Sequence, residues 1–256
     1  MPIMQSGSMP SRPGNHTDSI AVVEPLHWLS LGLRDFRRAR PVGIAYGLMV
    51  VLLGWLIFAL GNHPYFIAAA VSGFLLVGPV LGAGLIESSR TMEAGGTPTF
   101  DSSLRGLGRN RPALARFALA LFTIAAVWLA LSTSILIVAM GPIAPRIEQV
   151  LWDSALQFMS SDQLLAWAAI GGVLAVLCFS ISVIAVPLIL DKNASAGEAM
   201  RGSLRAVSRH PVASAVWALL IGLLTVIGFA TALLGLIVIY PVLGHASWHA
   251  YRALRR

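Results

Sequence analysis

The chain alternates long apolar runs with short segments rich in arginine. A transmembrane helix needs about 20 mostly apolar residues, because each residue rises 1.5 Å along the helix axis. Apolar runs of this length occupy residues 42–60, 65–86, 113–139 and 164–190. We therefore predict a membrane-spanning helix at each of these positions.

A further apolar stretch, from Val212 to Ala246, is too long for one span. As a single helix it would reach roughly 52 Å, whereas the hydrocarbon core of a bilayer is about 30 Å thick. We predict two helices, 212–230 and 232–248, joined by a tight turn near Thr231.

The composition excludes an ordinary soluble domain. The chain is 57% hydrophobic and 11% charged, with a mean hydropathy of +0.78, whereas soluble domains are about 25% charged. The net charge of +7 suits either nucleic acid or anionic lipid. Because the arginines lie at the ends of the apolar runs rather than in a separate basic domain, we expect lipid and no nucleic acid.

The distribution of basic residues predicts the topology. Lys and Arg concentrate on the cytoplasmic side of membrane helices. If both termini and the second and fourth connections are cytoplasmic, all 18 Lys and Arg residues except Arg146 lie on that side. We therefore predict six spans in a single membrane domain, residues 24–256. Residues 1–23, rich in Ser, Pro and Gly, are expected to be a disordered cytoplasmic tail.

The only long external connection is the predicted outer loop, residues 140–163. Its apolar residues recur at helical spacing, which predicts a short amphipathic helix. This helix either lies on the outer membrane surface or packs on the ends of the bundle.

Two sequence marks repeat three times. The first, third and fifth spans are each preceded by a motif that consists of Leu-Arg, a short basic stretch and a proline. The third copy of this motif is one residue shorter. Each following even span contains a proline near its cytoplasmic end, which is expected to kink the helix. We therefore predict an all-α polytopic transmembrane helical bundle made of three parallel helical-hairpin repeats. The basic motifs begin at Leu33, Leu104 and Leu204, the prolines are Pro79, Pro187 and Pro241, and the repeats cover 33–86, 104–190 and 204–248.

The basic segments before the odd spans are the first candidate site. Each is amphipathic, so it can lie on the inner leaflet with its arginines against anionic lipid headgroups. The simpler alternative is that these residues only fix the topology. The arginines concerned are Arg34, Arg37, Arg38, Arg105, Arg109, Arg205 and Arg209.

The second candidate site is the pair His245 and His249 near the end of the chain. Residues four apart share one helix face, and two imidazoles at this spacing can bind a metal ion or haem iron. His27 and His210 are expected at the same side of the membrane and could complete such a site. The alternative is anchoring at the membrane interface. Carboxylates in the cytoplasmic connections, such as Glu87, are interpreted as helix caps or solvated groups.

The closing segment 244–252, Gly-His-Ala-Ser-Trp-His-Ala-Tyr-Arg, together with Leu-Arg-Asp-Phe at 33–36 and Phe-Leu-Leu-Val-Gly-Pro at 74–79, resembles a family of bacterial predicted integral membrane proteins of unknown function. The resemblance extends over about residues 25–254. It implies a bacterial inner membrane protein and brings no catalytic residue.

Two functional hypotheses follow. Because the sequence contains no catalytic motif and no ionised residue near the middle of a span, we expect no enzymatic activity and no cofactor. The first hypothesis is transport or organisation of a lipid-like or apolar solute. The alternative is an accessory or assembly subunit of a larger, perhaps respiratory, membrane complex, with glycine-rich helix faces such as Gly47 and Gly54 packing against a protein partner or a second copy.

Overall fold

The computed structural model describes residues 22–60, 78, 82–140 and 160–255. All regular structure in these ranges is helical, as predicted. In chain order the helices are α1 (Glu24–Arg38), α2 (Arg40–Leu60), α3 (82–93), α4 (Phe100–Gly108), α5 (Arg111–Met140), α6 (Ser161–Ser182), α7 (Ala185–Lys192), α8 (Ala196–Arg209), α9 (Pro211–Ala230) and α10 (Leu236–Leu254).

Four helical segments are long and apolar enough to cross a membrane. They coincide with the first, third, fourth and fifth predicted spans, and they run over Arg40–Ile57, Arg111–Ser132, Ser161–Lys192 and Pro211–Ala230.

The other two predicted spans are not among these four segments. The predicted second span, 65–86, lies mostly outside the described residues, as do most of the predicted tail 1–23 and of the outer loop 140–163. The predicted sixth span corresponds to α10, which starts and ends later than the sequence suggested. The number six therefore stays a prediction.

A turn at residues 231–235 divides the last apolar stretch. Ala232 and Leu233 adopt positive φ angles of 51° and 71°, a conformation that usually selects glycine. Two side chains hold the turn. The Thr231 Oγ1 atom accepts a hydrogen bond from the Gly235 N–H at 2.8 Å, and the Trp55 Nε1 atom of α2 donates to the Ala232 carbonyl at 2.9 Å.

The fourth predicted span is broken between α6 and α7, directly before Pro187. A proline removes one backbone hydrogen bond and clashes with the preceding turn. Here Ser203 of α8 enters the gap. Its Oγ atom donates to the Ser180 carbonyl at 2.8 Å and accepts from the Ile184 N–H at 3.3 Å. Of the other predicted kinks, α10 continues through Pro241, and Pro79 lies outside the described residues.

Replacing Ser203 by alanine is expected to destabilise the protein by about 1–3 kcal/mol, since it leaves two buried backbone groups without a partner. Ser208→Ala on the same helix is the matched control. The Ser208 hydroxyl only donates to its own helix, at the Leu204 carbonyl. Unfolding titrations with SDS in mixed micelles measure both variants. Equal effects of the two substitutions would contradict this account of the break.

The short amphipathic helices α1, α4 and α8 pack on α10, on α3 and at the α6–α7 break, which belong to the sixth, second and fourth predicted spans. On α1, a Cβ atom at Gly32 would lie 2.6 Å from the Ala246 Cβ atom of α10. On α4, a Cβ atom at Gly106 would lie 2.6 Å from the Glu87 Cβ atom of α3. On α8, Ser203 bonds across the α6–α7 break. The last unit thus packs on the first.

The helix that follows each basic motif buries an aromatic side chain at the same position. Tyr46, Phe117 and Trp217 lie equally far after Leu33, Leu104 and Leu204 and are all buried. The third motif is one residue shorter up to its proline, but the helix that follows it keeps the register of the second copy. Only the proline has moved by one position. The repeat itself stays a prediction, to which this shared burial adds support.

Two glycines named for partner contacts, Gly47 and Gly54, pack inside the chain instead. A Cβ atom at Gly47 would lie 2.7 Å from the Ile237 Cα atom, and one at Gly54 would lie 2.5 Å from Leu233 Cδ1. These two positions of α2 therefore serve its packing against α10 and the preceding turn.

Candidate functional site

A hydrogen-bonded chain of four polar side chains joins α1, α3 and α10. The Asp35 Oδ2 atom accepts from Ser89 Oγ at 2.7 Å and from His249 Nε2 at 2.8 Å. Ser89 Oγ also lies 2.8 Å from His245 Nδ1. Because the single hydroxyl proton of Ser89 goes to Asp35, the Nδ1 atom of His245 must be the donor in that last bond. The predicted histidine pair is thus part of a network centred on Asp35, a residue the sequence analysis did not single out.

The environment of Asp35 favours its charged form. Burial raises the pKa of this carboxyl, but the hydrogen bonds from His249 and Ser89 and the nearby imidazoles outweigh burial and hold the pKa below the ordinary value of 3.8. A carboxylate that is 7% exposed therefore remains ionised at neutral pH.

The depressed pKa predicts an acid-dependent stability. A group whose pKa is lower in the folded state stabilises the fold above its ordinary pKa, and this contribution is lost as the pH falls through the folded value. We expect the stability advantage of the wild type over Asp35→Asn, measured as the free energy of unfolding, to shrink as the pH falls below 3.8, the ordinary pKa of the carboxyl. A difference that stays constant down to pH 3 would contradict the assignment.

Two further carboxylates attach α10 to its neighbours. Glu93 of α3 accepts from Trp248 Nε1 at 2.6 Å and from Arg252 at 2.9 Å. Asp191 of α7 accepts from the Tyr251 hydroxyl at 2.7 Å and from Arg255 at 2.9 Å. Burial, together with the neighbouring Asp191, raises the pKa of Tyr251 to about 12, so the phenol remains a donor.

Glu87 of α3 is buried like Asp35 and is only 4% exposed. Its Oε1 atom lies 2.7 Å from Arg90 of the same helix and 2.8 Å from Arg109, directly after α4. The interpretation of Glu87 as a solvated group is therefore wrong, because the two guanidinium groups replace the solvent.

A polar groove of about 410 Å³ runs between α1, α3 and α10. We call it the α1 groove. Arg34 and Arg38 line it from α1, Ser89 from α3, and His249 and Arg252 from α10. Within the described ranges, neither Arg34 nor Arg38 forms an ion pair, whereas Arg252 is held by Glu93.

The predicted headgroup contacts divide into two groups. Arg109 is held by Glu87 and Arg105 by Asp101, and Arg205 Nε donates to a carbonyl of its own helix. Across the described part of the chain, the side chains of the remaining members form neither an ion pair nor a hydrogen bond. They are Arg34, Arg37, Arg38 and Arg209.

The predicted metal site acquires no third ligand. Among residues 22–60, 78, 82–140 and 160–255, no group of three or more His, Cys, Asp or Glu side chains could hold a metal ion. His27 lines the α1 groove with His249, whereas His210 lies between α8 and α9. Binding through His245 and His249 stays a prediction, which metal analysis and a visible absorption spectrum of the purified protein would test.

An apolar cleft of about 320 Å³ lies between α5 and α6. The indole rings of Trp128 and Trp167 line it with their centroids 5.2 Å apart. The Trp167 Nε1 atom donates to Ser132 Oγ at 2.7 Å, so the indole's one polar atom is satisfied. Ala168, Gly171 and other small or aliphatic residues complete the wall. The sequence analysis missed this cleft, because apolar side chains on two spans do not reveal which faces leave a gap.

Comparison with protein families supports an integral membrane protein, the class that the long apolar helices indicate. Residues 66–191 match a family described as "Predicted integral membrane protein (DUF2189)". Over this range, about half of the chain, the protein belongs to that family, and the predicted resemblance is confirmed there. A search of curated proteins and a search of solved structures each found no match.

Proposed function

We propose that the chain is a non-enzymatic protein of a bacterial inner membrane that transports or organises a lipid-like, apolar solute. The observation that carries the proposal is the apolar cleft between α5 and α6. Both walls belong to segments long and apolar enough to span a membrane, so in a bilayer the cleft would lie at the level of the hydrocarbon core. An acyl chain is the ligand whose chemistry fits walls of this kind.

The exposure of α5 supports the same proposal. Only 17% of the segment Arg111–Ser132 is buried inside the chain, against 39% of Arg40–Ile57. Most of the apolar surface of α5 is therefore left uncovered by the described residues and could contact lipid. An acyl chain in the cleft would contact both helices and not one alone.

Filling the cleft tests this proposal. Ala168 lines the cleft, whereas a Cβ atom at Gly172 would meet no atom within 4 Å. We expect Ala168→Phe to reduce the lipid that co-purifies in mild detergent, and Gly172→Phe, which adds the same ring in open space, to leave it unchanged. Mass spectrometry of the extracted lipid gives the amount per protein. Equal lipid in both variants and in the wild type would refute the proposal.

The proposal includes an orientation, with both termini and the arginine-rich helices on the cytoplasmic side. Anionic headgroups of the inner leaflet would then face α1, α4 and α8. We expect alkaline phosphatase fused after Arg256 to be inactive, because that enzyme works only outside the cytoplasm. An active fusion would show that the C-terminus lies outside the cytoplasm and would contradict the proposed orientation.

The alternative, an accessory subunit of a larger complex, has less support than the lipid-binding proposal. The glycine positions Gly47 and Gly54, which favoured partner contacts, pack inside the chain. A stoichiometric protein partner that co-purifies in mild detergent would favour the alternative, and bound lipid alone would favour the cleft.

A further inference from the structure

The α3–α4 interface and the α1–α10 interface are built from similar sequence motifs. Comparing them shows that, among the described residues, Arg38 in the α1 groove lacks the carboxylate partner that its counterpart has. Aligning the two basic motifs places Arg38 where Arg109 stands and Asp35 where Gly106 stands. Aligning Val77-Gly78-Pro79-Val80-Leu81-Gly82 with Ile239-Tyr240-Pro241-Val242-Leu243-Gly244 places His249 where Glu87 stands.

In the α3–α4 interface, the arginine of the motif forms an ion pair with a carboxylate of the chain. Glu87 reaches across from the return helix to Arg109 at 2.8 Å. Gly106 leaves room for it, since a Cβ atom there would lie 2.6 Å from the Glu87 Cβ atom. The anion of this interface thus comes from the protein itself.

The α1–α10 interface has the opposite arrangement. His249 occupies the position of the carboxylate, and it binds Asp35 at 2.8 Å instead of an arginine. Arg38 therefore loses the partner that Arg109 has, and the α1 groove opens at this interface.

The carboxylates near Arg38 are already engaged. Asp35 is held by Ser89 and His249, and Glu93 by Arg252 and Trp248. Glu24 also lines the groove, but by the rise of a helix it lies about 21 Å from Arg38 along α1.

Arg34 and Arg38 are one helical turn apart on the face of α1 that lines the groove. Two guanidinium groups at this spacing present several N–H donors to one tetrahedral oxyanion. They are also exposed to each other's charge, and a bound anion would relieve that repulsion.

We propose that Arg34 and Arg38 bind a phosphate group in the α1 groove, and that this phosphate supplies Arg38 with the negative charge that Arg109 receives from Glu87 in the α3–α4 interface. The phosphate belongs either to a phospholipid headgroup or to a free phosphorylated solute. The inference deepens the proposed function, because a headgroup at this site would hold the polar end of a lipid at the cytoplasmic side.

The direct test measures phosphate binding by the full chain. Arg34→Gln and Arg38→Gln remove the proposed ligands, and Arg37→Gln is the matched control, since Arg37 is exposed on α1 but does not line the groove. One arm titrates inorganic phosphate in detergent and follows the thermal midpoint. The other measures phosphatidylglycerol retained from nanodiscs that contain it together with phosphatidylcholine. We expect each groove variant to weaken binding about tenfold and Arg37→Gln to change it less than twofold.

A positive result in either arm supports the site, and the two arms together show whether the phosphate group belongs to a lipid headgroup or to a free solute. Dependence on Arg34 and Arg38 in the nanodisc arm alone assigns a headgroup, and the same dependence in the titration assigns a free phosphate group. If neither arm depends more on Arg34 and Arg38 than on Arg37, the arginines act only through general charge and the proposal is wrong.

A transplant of the complete interface gives an independent test. The double variant Asp35→Gly and His249→Glu recreates Gly106, Glu87 and Arg109 at the α1–α10 interface. We expect it to fold, because the carboxylate introduced on α10 can pair with Arg38 across the interface in place of the Asp35–His249 bond. We expect it to lose phosphate binding for the same reason, since Arg38 then has a partner. Phosphate binding at the wild-type level in the folded double variant would overturn the proposal, and if that variant fails to fold, the single arginine variants decide.

The two proposals fail separately. Ala168→Phe changes the cleft without touching the α1 groove, so it should bind inorganic phosphate like the wild type. Lipid binding that is unchanged by Ala168→Phe, with phosphate binding that still depends on Arg34 and Arg38, would refute the cleft and leave the groove. Lipid binding that falls in Ala168→Phe, with phosphate binding that does not depend on these arginines, would refute the groove alone.

Discussion

Replacing Gly47 by alanine is expected to destabilise the protein by about 1–3 kcal/mol, the range for overpacking a close helix contact. The added Cβ atom would lie 2.7 Å from the Ile237 Cα atom and closer still to the Ile237 carbonyl oxygen. Because both neighbours are backbone atoms, α2 and α10 must move apart to admit the methyl group. The resulting loss should appear in SDS titrations in mixed micelles.

Gly222→Ala is the matched control for this prediction. Gly222 lies within α9, and a Cβ atom there would meet nothing within 4 Å. Both substitutions share the gain in helix propensity of up to about 1 kcal/mol, so their difference isolates the steric contact. If Gly47→Ala is as stable as Gly222→Ala, α2 and α10 are not packed at this distance.

Replacing Asp35 by alanine is expected to cost about 3 kcal/mol, because it leaves His249 and Ser89 without the group that both donate to. The loss should detach α1 from α3 and α10, so residues of α1 should exchange their amide hydrogens faster than those of α8. Hydrogen exchange by mass spectrometry in detergent measures this difference.

An exposed ion pair provides the comparison for Asp35. Asp101 and Arg105 are 2.6 Å apart, but their side chains are 78% and 74% exposed. Asp101→Ala should therefore change the stability by at most about 0.5 kcal/mol. A similar loss from both substitutions would mean that the Asp35 network is no stronger than a solvated pair.

The sequence predicts the helices well, since their signals are local. The run lengths predict α2, α5 and α9 to within two or three residues at the ends, because lipid requires long uninterrupted apolar segments. The break before Pro187 also has a local cause. The conformation of the turn at 231–235 does not, since Ala232 and Leu233 are poor predictors of a positive φ and Trp55 from another helix supplies a hydrogen bond.

The site was only partly predictable, because its chemistry comes from contacts between distant segments. The spacing of His245 and His249 marked the correct helix face, but the partners Asp35 and Ser89 lie far away in the chain. Glu87 looked like a solvated group, since nothing local pairs it with Arg109. Extending the proline alignment from Pro79 and Pro241 toward the chain ends would have shown that a carboxylate and a histidine occupy equivalent positions.

Photocrosslinking in a bilayer tests the central claim most directly. The protein would be reconstituted with a phospholipid that carries a diazirine near the middle of its acyl chain, irradiated, and digested for mass spectrometry. We predict that crosslinks concentrate on the cleft walls, residues 121–128 of α5 and 167–178 of α6, and that Ala168→Phe removes this enrichment. Equal labelling of the outward faces of α2 and α9, unchanged by Ala168→Phe, would show that lipid merely surrounds the protein and would contradict the claim that the chain holds an acyl chain in the cleft.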